Sequence, residues 1–201
     1  MHPDSLPETD NYRVACQQIL EKDHSVFSIQ WIILPSGSDH GLTSEMLLQL
    51  YLDYVRRFTL GIINSFKNDN GIEFRLTGSS VAIIRFSPPL SESTTKGEKT
   101  TLRISGGLLV QPKERDRGEF EFFVESVESG CRVALKLSGF YPFLLGSSRP
   151  LLWRKWLYRL TQAYIHKVVT IRFLAMIYRK YTGEKLKKGV IRIALRKGSN
   201  I

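Results

Sequence analysis

The feature that most constrains the fold is a long amphipathic segment near the C-terminus, LLWRKWLYRLTQAYIHKVVTIRFLAMIYRKY, which occupies residues 151–181. As a continuous helix it would be about 46 Å long, at about 1.5 Å per residue. Its apolar positions recur at spacings of three and four residues, which predicts one continuous apolar stripe. The stripe consists of Trp153, Leu157, Leu160, Tyr164, Val168, Ile171, Ala175 and Tyr178.

Three interpretations of this segment differ in what they explain. Most of its basic and polar residues lie off the stripe, so the helix would have a wet side. A helix packed on the dry face of a sheet accounts for both sides. A membrane-surface helix would leave the sheet uncovered, and the sequence has none of the zinc-finger, basic-zipper or RNP-type patterns of nucleic-acid readers. We therefore favour the packed helix.

The first part of the chain predicts a strand followed by a helix. Residues 25–34 are rich in β-branched and aromatic side chains and predict a strand, whereas residues 13–20 fit either a strand or a helical turn. Residues 45–66 predict an amphipathic helix of about 22 residues, capped by Thr43 or Ser44, and Gly61 could kink it or divide it in two. Its apolar face would comprise Leu47, Leu50, Tyr54, Phe58, Ile62 and Phe66.

From residue 72 the apolar pattern changes to a period of two. This pattern predicts about five antiparallel strands between residues 72 and 138, with residues 87–99 as an exposed loop. In GEFEFFVES (118–126) phenylalanines alternate with glutamates, which predicts one dry face and one solvated face carrying ion pairs to the next strand. The charged residues predicted at the surface are Glu119, Glu121, Glu125, Arg75, Arg85 and Arg103.

Motifs that carry chemistry are absent from the sequence. The two cysteines, Cys16 and Cys131, lack CxxC spacing, and the four histidines form no metal-ligand spacing. There is no GxSxG, Walker A, GxGxxG or HExxH pattern, so we predict no metal and no cofactor and leave enzymatic activity open. No apolar stretch reaches about 18 residues and no signal peptide is evident, which favours a cytoplasmic protein.

The order of strand, helix, antiparallel sheet and long helix resembles the helix-grip fold of the START-like superfamily, also called the polyketide cyclase or Bet v 1-like (SRPBCC) group. The resemblance lies in FSIQWIIL, the helical insertion 43–67, the strands between 72 and 138, and PLLWRKWLYRLTQAYIHKVV. It implies an α+β fold with a curved antiparallel sheet packed on a long C-terminal α-helix. We predict a disordered leader at 1–11, one domain at 12–182, and a basic tail or edge strand at 183–201.

Members of this superfamily often hold a lipid, sterol, polyketide or other hydrophobic molecule between sheet and helix. The resemblance therefore implies an apolar cavity that binds a small hydrophobic ligand. His166 could move a proton there, although a satisfied interfacial histidine is the simpler interpretation. The predicted ligand-binding residues are Phe74, Leu76, Ile83, Leu102, Ile104, Phe120, Phe122, Val133, Leu135, Trp153, Leu157, Leu160, Tyr164 and His166.

Positive charge is concentrated at the C-terminal end. The whole chain carries a net charge of +10, and from residue 149 onward Glu184 is the single acidic residue among many lysines and arginines. Such asymmetry favours an anionic partner, so the alternative function is binding to nucleic acid or an acidic membrane surface. The predicted anion-binding residues are Arg179, Lys180, Lys185, Lys187, Lys188, Arg192, Arg196 and Lys197.

Overall fold

The computed structural model describes residues 13–143, 164–187 and 189–200. The predicted leader and residues 144–163 lie outside this part of the chain, and with them Trp153, Leu157 and Leu160. Lys188 also lies outside it, and the side chain of Tyr164 is not among those described. The predicted domain limits therefore stay a prediction.

The described chain folds into strands with two helices placed between them. The strands are β1 (Val14–Leu20), β2 (Val26–Pro35), β3 (Ile63–Asn68), β4 (Gly71–Leu76), β5 (Ala82–Phe86), β6 (Leu90–Thr94), β7 (Gly97–Gly106), β8 (Gly118–Val127), β9 (Gly130–Phe140), β10 (Val190–Arg192) and β11 (Ser199–Asn200). The helices are α1 (Ser44–Phe58) and α2 (Tyr164–Thr182).

All the strands belong to one mixed sheet. Its main order is β10-β1-β2-β9-β8-β7-β5-β4-β3, with β6 paired to β7 and β11 paired to β1. The β1–β10 pair is parallel, with Val14 opposite Val190, whereas the other pairs within the described residues are antiparallel. The predicted helix-grip fold with a purely antiparallel sheet is therefore wrong.

The prediction of a long closing helix is wrong as well. The described C-terminal helix, α2, has 19 residues and contacts mainly β1 and β2. It shares this side of the sheet with α1, which contacts β3, β7 and β8. The buried face of α2 is also turned from the predicted stripe, since Val168, Ile171 and Ala175 are only partly buried. Its most buried residues are Val169, Thr170, Phe173, Leu174, Ile177 and Tyr178.

Helix α1 is shorter than its apolar period predicts. Thr43 is the N-cap, and its Oγ1 accepts a hydrogen bond from the backbone N–H of Met46 at 3.1 Å. After Phe58 the chain leaves the helix, with Leu60 at φ +51° and Gly61 at φ +77°. Two successive residues in the left-handed region end a right-handed helix. The apolar residues beyond this turn therefore belong to the turn and to β3.

Two further strands differ from the sequence-based expectation. β1 resolves the ambiguity of residues 13–20 in favour of a strand, and each of its seven residues is buried. Residues 90–94, predicted as loop, form β6, which pairs with β7 from Leu90 opposite Thr101 to Thr94 opposite Gly97. Four of the five β6 residues are exposed, which is consistent with the polar sequence of this strand.

The side of the sheet opposite the helices is covered near β1 and β2. A small apolar cluster there includes Trp31, Phe123 and Ala134, with Ile193 and Leu195 packed against it. We call this side the solid face. Gln17 holds the covering segment: its side-chain amide donates to the Arg196 carbonyl at 2.8 Å and accepts from the Leu195 N–H at 2.9 Å.

On the same side of the sheet, the prediction that the β8 glutamates are solvated is wrong for two of them. Glu121 and Glu125 are only 5% and 2% exposed. The expected cross-strand ion pairs do form, Lys136–Glu121 at 2.5 Å and Arg132–Glu125 at 3.5 Å, but they are buried. Phenylalanines and glutamates alternate along β8, but both faces of this strand are largely buried. An acidic side chain in β8 therefore does not show which face is exposed to solvent.

Candidate ligand-binding cavity

A cavity of about 260 Å³ lies on the other side of the sheet, which we call the cavity face. Helices α1 and α2 both contribute to its wall, together with β3, β4, β5, β7, β8 and β9. Almost all of its described wall is apolar. The described lining residues are Tyr51, Val55, Thr59, Ile63, Phe74, Ile83, Ile84, Phe86, Ile104, Leu109, Phe120, Leu137, Phe140, His166 and Val169.

An aromatic cluster holds one side of this cavity in place. The ring of Phe120 packs edge-on against Tyr51, with 5.3 Å between centroids, and lies 6.4 Å from Phe86. Phe86 in turn packs edge-on against Phe74 at 5.8 Å. Edge-to-face pairs of this kind fix ring orientation as well as burying apolar area. The cavity is therefore bounded by side chains that support one another.

The α1 wall reaches the cavity through the last turns of the helix. Tyr51 and Val55 are four residues apart and therefore share one face. Thr59 follows at the C-cap, where its Oγ1 donates to the Val55 carbonyl at 2.9 Å and accepts from the Ile63 N–H at 3.1 Å. These bonds anchor the turn between α1 and β3 and use the hydroxyl of Thr59.

His166 lies in the first turn of α2, and its imidazole carries the side-chain nitrogen atoms of the described cavity wall. Although the residue as a whole is only partly buried, its Nε2 atom is shielded from solvent and has no hydrogen-bond partner among the described residues. Its ring packs edge-on against Phe120 at 5.9 Å. Burial lowers the pKa of the imidazole from 6.5 to about 4, so His166 is neutral near pH 7.

Tyr51 is the other titratable residue among the described lining residues. Burial raises the pKa of its phenol, so the side chain is also neutral near pH 7. No Lys, Arg, Asp or Glu stands among the lining residues that the structure describes. The described wall is therefore uncharged near neutral pH.

The structure distributes the predicted ligand-binding residues over three places. Phe74, Ile83, Ile104, Phe120 and His166 line the cavity. The main apolar core, away from the cavity wall, contains Leu102, Phe122, Val133 and Leu135. Leu76 is 41% exposed at the surface. Period-two alternation gives the correct face for the buried residues, but it does not tell a cavity wall from packed core.

Several lining residues were not predicted. Tyr51 and Val55 belong to α1, which was predicted as a helical insertion without a part in the cavity wall, although they lie at the four-residue spacing of its buried face. Leu109 follows the glycine pair after β7, and its N–H donates to the Ile83 carbonyl at 3.0 Å. No local pattern marks such a residue, because only the pairing of distant segments brings it to the wall.

Exposed apolar side chains flank several lining residues. Leu60 and Ile62, 90% and 61% exposed, lie in the turn between Thr59 and Ile63. Leu108, 56% exposed, precedes Leu109. Each exposed residue thus has a lining residue as its chain neighbour, which provides matched positions for substitution.

The predicted anion-binding residues do not form one free surface. Arg196 is engaged internally, with its Nη1 2.9 Å from Glu21 and its guanidinium 4.1 Å above the Phe27 ring. Arg192 belongs to β10. The remaining described members are exposed on α2 and on the segments around β10 and β11: Arg179, Lys180, Lys185, Lys187 and Lys197.

Other classes of site were also sought in the described residues. Within them, no group of three or more His, Cys, Asp or Glu side chains is arranged to hold a metal ion. Cys16 and Cys131 are free and buried, and burial raises the pKa of both thiols, that of Cys131 to about 11. Neither described helix has the length and apolar character needed to cross a membrane.

Comparisons with known proteins assign no family. No protein-family model matches the chain, and no curated protein matches it either. Among solved structures, the chain is similar to CalU16 from Micromonospora echinospora at 14% identity, with 84% of each chain covered and a TM-score of 0.36. At this TM-score the likeness carries no argument about function, and the resemblance to the START-like superfamily stays a prediction.

Proposed function

We propose that this protein binds a small hydrophobic molecule in the cavity between its helices and its sheet. The observation that carries the proposal is a space of about 260 Å³ whose described wall is apolar and uncharged near neutral pH. Protein interiors are normally packed without such voids, because an empty cavity forfeits the contacts that its lining would make. A hollow supported by an aromatic cluster therefore favours binding as its purpose.

The size of the cavity limits the occupant. An engineered apolar cavity of about 150 Å³ stays dry and binds benzene. A cavity of about 260 Å³ therefore suits a compact molecule with a two-ring skeleton, or a short chain folded to similar bulk. Burial of each methylene contributes about 0.8 kcal/mol, so such a ligand gains binding free energy without charged contacts.

A matched pair of substitutions tests the proposal. Leu109 lines the cavity, whereas its chain neighbour Leu108 is 56% exposed. Leu109→Trp places an indole in the space, while Leu108→Trp adds the same side chain outside it. We expect the purified protein to bind 2-methylnaphthalene in a fluorescence titration, Leu109→Trp to weaken binding at least about tenfold, and Leu108→Trp to leave it unchanged.

Native mass spectrometry of the gently purified protein adds an independent readout. We expect a bound apolar species that Leu108→Trp retains and Leu109→Trp loses. The proposal is wrong if neither an endogenous molecule nor the naphthalene probe binds, or if both variants bind the probe as the parent protein does. Circular dichroism of each variant shows that the fold is retained.

A further inference from the structure

The cavity contains one polar atom that the described protein leaves unused. Three described lining residues, Tyr51, Thr59 and His166, carry polar side-chain atoms. The Thr59 hydroxyl is committed to the Val55 carbonyl and the Ile63 N–H, and the Tyr51 hydroxyl is not among the buried atoms that lack a partner. The Nε2 atom of His166 is buried and has no partner among the described residues.

A buried polar atom without a partner is unfavourable, because it has lost its hydrogen bonds to water and gained none in exchange. A bound molecule can remove this cost if it presents a complementary group. Since the imidazole is neutral near pH 7, each of its nitrogens is either a donor or an acceptor. A hydroxyl group satisfies Nε2 in either tautomer, since it can both donate and accept.

The same wall disfavours a charged group on the ligand. A carboxylate buried beside residues without a cation would lose its hydration and gain no ion pair. The described lining residues include no lysine and no arginine. The cavity therefore favours a ligand whose polar group is neutral and forms hydrogen bonds.

We propose that the ligand is a compact apolar molecule with one neutral hydrogen-bonding group, such as a hydroxyl, which pairs with Nε2 of His166. This inference rests on the proposed function and narrows the class of molecule that the cavity takes. His166 is on this account a binding and specificity-determining residue.

Three probes of similar shape test the inference: 2-methylnaphthalene, 2-naphthol and 2-naphthoate. We measure their dissociation constants with the full chain and with His166→Leu at pH 7. The preference for 2-naphthol over 2-methylnaphthalene should be about 3- to 10-fold larger in the parent protein than in His166→Leu. Binding of 2-methylnaphthalene should change little, and 2-naphthoate should bind most weakly to the parent protein.

His40→Leu is the matched control, because it makes the same substitution at an exposed histidine that is not among the described lining residues. It should leave the preference for 2-naphthol unchanged. A second readout does not depend on any variant: 2-naphthol should shift the ¹⁵N resonance of His166 Nε2, whereas 2-methylnaphthalene should not.

The outcomes separate this inference from the proposed function. If the parent protein binds none of the probes, both are overturned. If it binds them, but His166→Leu keeps the preference or the Nε2 resonance does not respond, the role of His166 is wrong and the proposed function stands. If His166→Leu lowers the affinity for all three probes equally, and the Nε2 resonance of the parent protein does not respond, His166 has a structural role and the inference is overturned.

Discussion

The two faces of the sheet are both covered, yet one is hollow and the other is filled. On the cavity face, α1 and α2 leave about 260 Å³ of space above β-strand residues such as Phe120. On the solid face, Ile193 and Leu195 pack against a cluster centred on Trp31, which is fully buried. Strands β8 and β9 contribute side chains to both the packed cluster and the cavity wall.

The difference follows from what covers each face. A helix is a stiff cylinder that touches a twisted sheet over a limited width. α2 contacts mainly β1 and β2, and α1 contacts β3, β7 and β8. Space remains where residues of both helices, among them Val55 and Val169, face the sheet. An irregular segment has no such restriction and can follow the sheet, as the segment held by Gln17 does. Cavities are therefore expected under helices rather than under this segment.

The largest effect should come from emptying the solid face. Trp31→Ala removes a fully buried indole that lies opposite Ala15 and Ala134 on the neighbouring strands. We expect a loss of about 3 to 5 kcal/mol in the free energy of unfolding, because the small neighbours cannot fill the hole. Phe74→Ala on the partly buried cavity wall should cost less than about 2 kcal/mol. Urea denaturation measures both, and equal losses would contradict the distinction between the faces.

Breaking the buried ion pair of the solid face should have the next largest effect. Arg132 and Glu125 have side chains that are 5% and 2% exposed, so Arg132→Met removes a cation from beside a buried carboxylate. We expect a loss of about 3 kcal/mol. Arg103 makes the matched control, since its pair with Glu119 is solvent-exposed and Arg103→Met should cost less than about 1 kcal/mol. Thermal and urea unfolding should rank the two variants in this order, and a reversed ranking would mean that the solid face is hydrated.

The cavity face should respond to acid through His166. Its folded-state pKa of about 4 lies below the value of 6.5 for the free side chain. The unfolded chain therefore binds the proton first, and the contribution of neutral His166 to stability is complete above about pH 6.5 and is lost as the pH falls toward 4. Between pH 7 and 4.5 this amounts to up to about 2 kcal/mol. His166→Gln should reduce the decline measured by urea denaturation at the two pH values, and an undiminished decline would show that His166 does not titrate in this way.

The smallest effect should appear when a buried side chain is made larger. Ala134→Val adds bulk to the filled cluster of the solid face and should cost about 1 kcal/mol or more. Val169→Ile adds a methylene beside the cavity and should cost nothing or stabilise slightly, since there is room for it. Equal penalties in differential scanning calorimetry would indicate that both faces are equally full.

Local patterns predicted the strands well because their information is carried by neighbouring residues. The alternation of β8 and the turn chemistry between strands are examples, and β2 lies where its β-branched and aromatic residues predict a strand. The apolar spacing predicted a helix that runs past the end of α1, because the spacing continues by coincidence through the left-handed residues Leu60 and Gly61. Gly61 was the signal that the helix could divide there. A polar hairpin strand, β6, was missed because its exposed residues resemble a loop.

What covers a strand could not be predicted from the strand itself. Phe123 of β8 belongs to a cluster against which Ile193 and Leu195 pack from far along the chain, and no feature of the GEFEFFVES segment indicates this. Glu121, on the same face of β8, is buried as well. The fold class failed for the same reason, since the parallel pairing of β10 with β1 joins the two ends of the described chain. The cavity wall likewise depends on α1, whose contacts with the sheet connect segments distant in sequence.

The most direct test of the account is a crystal structure of the protein under xenon pressure. Xenon enters dry apolar cavities and gives strong density without perturbing the protein. We predict a xenon site beside Leu109, Val169 and Phe120 in the parent protein, or density for a bound apolar molecule at that position. A chain of ordered waters there, or side chains that close the space, would contradict a ligand-binding cavity.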